Sequence, residues 1–176
     1  MKSNNYTLFN DNNGVDEIFI PDDPKSLTRY AIERYLKNIE LEIKQNLFTQ
    51  EELLLLDAAL YGKYLNHSKR LFFLYHFLPL WEQSVHVLFR DNAHPKIVEL
   101  GCGTGTSSLL FSILGAKVVG IELISDLVNI CNKRMQYYGK LNSDINVNFF
   151  QANTFDFPYM KHQPIDAFYS LFAFNL

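Results

Sequence analysis

The chain has 176 residues, 48% of them hydrophobic, enough for one domain with a real core plus an appendage. Its formal net charge of -3 supplies no basic footprint, which argues against a nucleic-acid partner and for a small-molecule or protein substrate. Its two cysteines, Cys102 and Cys131, are too few for a disulfide framework and fit a reducing cytoplasm.

Residues 1–23 are rich in asparagine, lack the charged start and apolar core of a signal peptide, and read as a loose arm. Residues 24–95 read as an all-helical cap segment. Asp23 and Pro24 form an N-cap and first-turn pair, after which Leu27, Ala31, Tyr35, Ile39, Ile43 and Leu47 recur at every fourth position. Glu33 with Lys37 and Glu40 with Lys44 make solvated pairs on that helix. Thr49 and Glu52 are spaced as a capping box ahead of a second stripe, Leu53, Leu56, Leu60 and Tyr64, which Gly62 interrupts near its end. A third helix is expected from about Lys69, kinked or restarted at Pro79, and stopping before a loop over Asp91 to Pro95. Its most apolar part, Leu71 to Trp81, is 11 residues long, too short to span a bilayer, and reads as buried core rather than a membrane segment.

The most informative stretch begins at Lys96. Ile97 to Leu100 is a short apolar run of the kind buried in a parallel sheet. Gly101, Cys102, Gly103, Thr104 and Gly105 then make a turn with little side-chain bulk, which lets a ligand approach the backbone. Leu109, Leu110, Ile113 and Leu114 follow at helical spacing with Gly115 as the C-cap, so the loop opens onto a helix N-terminus. Lys117 to Ile121 is the next strand, and Glu122 at its carboxyl end can accept from both hydroxyls of a ribose. The unit is a right-handed βαβ. Further on, Ile145 to Gln151 alternates as a third strand, and Ile165 to Leu171 reads as a fourth.

Glycine spacing separates the cofactors that such a unit takes. Nicotinamide and flavin dinucleotides favour G-x-G-x-x-G/A, and here the third small position is Thr106. The observed pattern is Glu99-x-Gly101-x-Gly103-x-Gly105, with a second acid, Glu122, 17 residues after Gly105. This resembles the class I S-adenosylmethionine-dependent methyltransferases, whose first motif reads E/D-x-G-x-G-x-G and whose second strand ends in an acid. The resemblance covers Lys96 to Leu176, a little under half of the chain.

The resemblance implies an α/β fold, a Rossmann-like parallel sheet of about four strands behind the N-terminal helical segment, with residues 96–176 as a partial cofactor-binding domain. It implies S-adenosylmethionine as cofactor. Gly101, Cys102, Gly103 and Gly105 would lie against its methionine part, Glu99 would orient its ammonium group, and Glu122 with Leu123 would hold the ribose side. The adenine acceptor falls on Asn153, beside Thr154, with Asp156 as the competitor; the bland alternative for both Asn153 and Asp156 is turn chemistry. The family's N-terminal segment often lies over the cofactor cleft, which makes Tyr61 to Arg70 the candidate contribution to a substrate pocket, against a plain polar connection. No catalytic base is assigned; Tyr61, Tyr64 and His67 are the first positions to mutate. His67, His76, His86, His94 and His162 show no metal-ligand spacing with either cysteine, and Ser107 and Ser108 do not form a nucleophile elbow.

A sheet of this family normally continues past the fourth strand, so the chain reads as truncated there or completed by another chain. The fourth strand would then be an apolar edge open to self-association. The expected function is methyl transfer to an unassigned acceptor, small molecule or protein. The alternatives are a non-catalytic cofactor-binding or interaction module and, less favoured, a nicotinamide-dependent oxidoreductase.

Overall fold

A computed structural model of the chain describes residues 17–59, 67–154 and 164–171, with side chains described outside 67–75. Three helices come first: α1 Arg29–Lys44, α2 Gln50–Ala59 and α3 His67–Leu88. An alternating half follows: β1 Lys96–Leu100, α4 Thr106–Ile113, β2 Lys117–Glu122, α5 Ser125–Leu141, β3 Asn146–Gln151 and β4 Ala167–Tyr169. The string Tyr61 to Asn66 and Asp156 lie outside the described residues, as does the side chain of His67.

The four strands form one parallel sheet in the order β3-β2-β1-β4. This is the expected Rossmann-like α/β arrangement behind an N-terminal helical segment. The register Glu99 to Gly120 to Phe149, with Tyr169 opposite Glu99, puts these four residues on one sheet face. That face belongs to the main core. Ile97, Val118, Val147, Phe149 and Tyr169 join Leu109, Leu110 and Phe111 of α4, Ile32, Tyr35 and Ile39 of α1, and Trp81 and Val85 of α3. One apolar core therefore runs through the helices and the sheet. On the other face Val98 and Ile121 are buried, while Phe168 on the edge strand is 55% exposed.

The first helix differs from the sequence reading at both ends. Asp23 does cap, but it caps a turn: its Oδ1 accepts from the Lys25 and Ser26 amides, and Leu27 N–H closes on Pro24 O. The chain then turns extended at Thr28, whose hydroxyl accepts from Ala31 N–H and starts α1 there. Leu27 is buried as a lead-in outside the helix, and Leu47 likewise falls beyond its end. Asn46 takes a left-handed φ of 56°, with Leu47 N–H on Glu42 O and Asn46 N–H on Ile43 O, the paired bonds of a Schellman stop. The third helix runs over His67–Leu88 and continues through Pro79 without a restart.

Other local expectations hold. Thr49 N–H donates to Glu52 Oε2 at 2.8 Å and Glu52 N–H to Thr49 Oγ1 at 3.2 Å, the two bonds of a capping box. Gly115, at φ 102°, follows the Leu114 cap of α4, with Gly115 N–H on Ser112 O and Ala116 N–H on Phe111 O. Among the described residues no helix is long and apolar enough to cross a membrane.

Candidate functional site

The carboxyl ends of β1, β2 and β3 converge. Leu100 runs into the glycine loop, Glu122 ends β2, and Asn153 and Thr154 follow β3, whose Gln151 is in register with Glu122. Asn153 is exposed and Thr154 half-buried at this end, and Leu123, 64% exposed, stands on the rim. In a parallel sheet this end is where a ligand meets loops and helix N-termini rather than packed side chains.

Three glycines of the loop take left-handed angles, φ 66° at Gly101, 56° at Gly103 and 74° at Gly105. They do different things. A Cβ on Gly103 would meet nothing within 4 Å, so that position opens onto free space. A Cβ on Gly105 would come within 2.8 Å of Phe149 Cζ and 3.0 Å of Cys131 Sγ. One on Gly120 would come within 2.6 Å of Phe149 Cδ1. Gly105 and Gly120 together leave the space that the Phe149 ring fills, so the third glycine of the motif serves packing beneath the loop. The Cys102 side chain also turns inward, buried near Gly120 and beside Cys131, and only its backbone is left for a ligand. The Cys131 contact and burial push the Cys102 thiol well above its usual range.

Nearly every peptide of the loop is held. Cys102 N–H donates to Ile121 O at 3.0 Å, and Gly105 N–H to Cys102 O at 2.8 Å. Gly103 N–H donates to Glu122 Oε2 at 2.9 Å, and Cys131 Sγ–H to Gly103 O at 3.2 Å. Arg134 Nη1 donates to Thr104 O at 2.7 Å and to Thr106 Oγ1 at 2.8 Å. Cys131 and Arg134, three apart on α5, thus catch two successive loop carbonyls.

Glu122 is 8% exposed and already engaged. Besides Gly103, its Oε1 accepts from Leu123 N–H at 2.8 Å and Ile124 N–H at 3.1 Å. A carboxylate offers about four lone-pair positions, so roughly one remains for a ligand hydroxyl. Holding both hydroxyls of a ribose requires one of the three amide bonds to be given up or shared.

Glu99 lies beneath the loop, 3% exposed, and accepts from Ser108 Oγ of α4. Burial pushes its carboxyl up to about 7, against the opposing bonds from Ser108 and Ser107. Near neutrality it is divided between its charged and uncharged forms, and a cation placed beside it would favour the charged one.

The sequence reading missed Arg134 and Glu42. Both are fully buried, and the guanidinium grips Glu42 of α1 side-on, Nε to Oε2 at 2.8 Å and Nη2 to Oε1 at 3.2 Å. Tyr138 Oη donates to Glu42 Oε1 at 2.7 Å, and Tyr35 Oη to Thr106 O at 2.7 Å. Among the described residues no group of three or more His, Cys, Asp or Glu side chains is placed to hold a metal ion.

A parallel sheet, a left-handed glycine loop opening a buried helix, and an acid ending the next strand together define a Rossmann-like site for a nucleoside-type ligand. Residues 97–176, a little under half of the chain, match the family model described as a methyltransferase domain. No curated protein matches the sequence. Among solved structures, the C-terminal domain of precorrin-6Y C5,15-methyltransferase from Rhodobacter capsulatus aligns at 19% identity and TM-score 0.40, covering 49% of this chain and 44% of that one. The YcgJ protein from Bacillus subtilis aligns at 18% and 0.36, covering 44% and 31%. The plantazolicin methyltransferase BpumL, solved in complex with SAH, aligns at 17% and 0.37, covering 73% and 49%. The chain spans less than half the length of each of these structures.

Proposed function

We propose that this chain binds S-adenosylmethionine at the Gly101 to Gly105 loop and belongs to an enzyme that transfers its methyl group to a small molecule or protein. The observation that carries the reading is the juxtaposition of open space at Gly103 with the Glu122 carboxylate, whose Oε2 bonds the Gly103 amide. A ligand in that space would reach the loop backbone and the acid at once. Glu122 and Leu123 would take the ribose side, Asn153 and Thr154 the adenine side, and the backbone at Gly101, Cys102 and Gly103 the amino-acid tail. Glu99, buried with a carboxyl that titrates near neutrality, suits a nearby ammonium group. Gly105 would act from below, by keeping Phe149 in place.

The cofactor supplies an electrophilic methyl on a positively charged sulfur. The residues' task is to place acceptor and methyl in line and to exclude water. A general base is required only where the acceptor is a poorly ionised hydroxyl or an ammonium. Calorimetric titration tests the reading: S-adenosylmethionine is expected to bind and NAD not to. Glu122→Ala is expected to weaken that binding by about 1 to 3 kcal/mol, the cost of losing a charged hydrogen-bond partner. Binding of NAD alone, or unchanged affinity in the variant, would overturn the proposal. Cofactor binding with no methyl transfer to any acceptor would favour a non-catalytic module.

A further inference from the structure

We infer that Glu42 and Arg134 are positioning residues for the amino-acid tail of the cofactor, through which helix α1 sets the shape of the glycine loop. The inference rests on the proposed cofactor reading. Arg134 spends one side of its fork on the Glu42 carboxylate and the other on Thr104 O and Thr106 Oγ1. The peptide joining Thr104 to Gly105 is therefore fixed at both ends, its carbonyl on Arg134 and its amide on Cys102 O. With the Thr104 carbonyl held by Arg134 of α5, the loop is preformed for a ligand that approaches its backbone. A loop ordered before binding costs less to order during binding.

Glu42 anchors the arrangement from a distance of 92 residues in sequence. It sits two positions before the end of α1, where its own carbonyl accepts from Leu47 N–H at 3.1 Å in the helix stop. Tyr138 bonds the same carboxylate, and Tyr35, about two α1 turns away, bonds Thr106 O at the first residue of α4. Two side chains of α1 thus converge on the N-terminus of α4, one directly and one through the guanidinium. A lysine at position 134 would keep a charge for Glu42 but has no planar fork to span Glu42, Thr104 and Thr106 together.

The experiment compares wild type, Arg134→Lys and the double variant Glu42→Met with Arg134→Met. The double variant removes both charges at similar volume, because removing one alone leaves an unpaired buried ion that can unfold the chain. Each is titrated with S-adenosylhomocysteine and with adenosine, and each is melted. Wild type is expected to bind S-adenosylhomocysteine. Variants that melt cooperatively are expected to bind it about tenfold or more weakly, with adenosine affinity nearly unchanged and faster exchange of the Gly105 amide. If Arg134→Lys does not fold, the double variant decides. Folded variants that bind S-adenosylhomocysteine as wild type does, or lose both ligands equally, overturn the positioning role. A wild type that binds neither ligand overturns the cofactor reading itself, and the inference with it.

Discussion

Gly103 and Gly105 share a motif and a left-handed backbone, yet substitution should separate them. Gly103→Ala meets open space and carries only the strain of a Cβ at positive φ, about 1 kcal/mol or a little more, so it is expected to fold and to bind the cofactor weakly. Gly105→Ala adds a collision with the Phe149 ring and is expected to lose distinctly more stability in chemical denaturation. Equal losses would contradict the division of labour between them. Glu99 adds a pH signature. Its folded-state value of about 7 lies above the 4.5 of an ordinary glutamate, so the folded protein holds the proton more tightly than the unfolded chain does. The associated stability is present below about pH 4.5 and is lost as pH rises through about 7. The difference in melting temperature between wild type and Glu99→Gln should therefore fall from pH 5 to pH 8; a flat or rising difference would contradict the burial argument. The alternate glycines and both acids are legible in the sequence because their spacing is local. Which glycine faces the ligand and which faces Phe149 is not, since that depends on a ring from a strand more than forty residues away.

The capping box that opens α2 shows how one residue can serve two elements. Partial burial pushes the Glu52 carboxyl up, but bonds from Lys133 and Thr49 outweigh it and hold it below the usual value. Lys133 of α5 donates to it at 2.6 Å and 2.8 Å, tying α2 to α5. Thr49→Ala is expected to cost about 1 kcal/mol in a thermal melt, in line with a lost helix cap. No measurable change would mean that Lys133 alone orients Glu52. The apolar stripes announce α1, α2 and α3 well, because a four-residue recurrence is a property of each helix by itself. Their ends are less legible: Asp23 and Thr28 are both competent caps, and the burial of Leu27 decides between them. The Glu42 and Arg134 pair is illegible for a related reason. Each looks like a solvated charge on an amphipathic helix until tertiary packing folds the two helices over the loop.

At the scale of the whole molecule, one core joins the N-terminal helices to the helix-covered face of the sheet, and the opposite face ends at β4 with Phe168 exposed. Self-association through that edge is our proposal for the assembly state. Sedimentation is expected to show concentration-dependent association that Phe168→Lys reduces, whereas a monomer at all concentrations would contradict it. The parallel pairing follows from the alternation of strands and helices and is legible in the sequence, whereas the order β3-β2-β1-β4 is not, because alternation alone does not say where the order reverses. The partial burial of the second face is not, because it depends on which segments pack there. The central claim is that the loop and Glu122 form one cofactor site, and a crystal structure of the chain with S-adenosylhomocysteine tests it most directly. The account predicts the ribose hydroxyls on the Glu122 carboxylate and the amino-acid tail along Gly101 to Gly103; a ligand whose ribose lies away from Glu122 would contradict it.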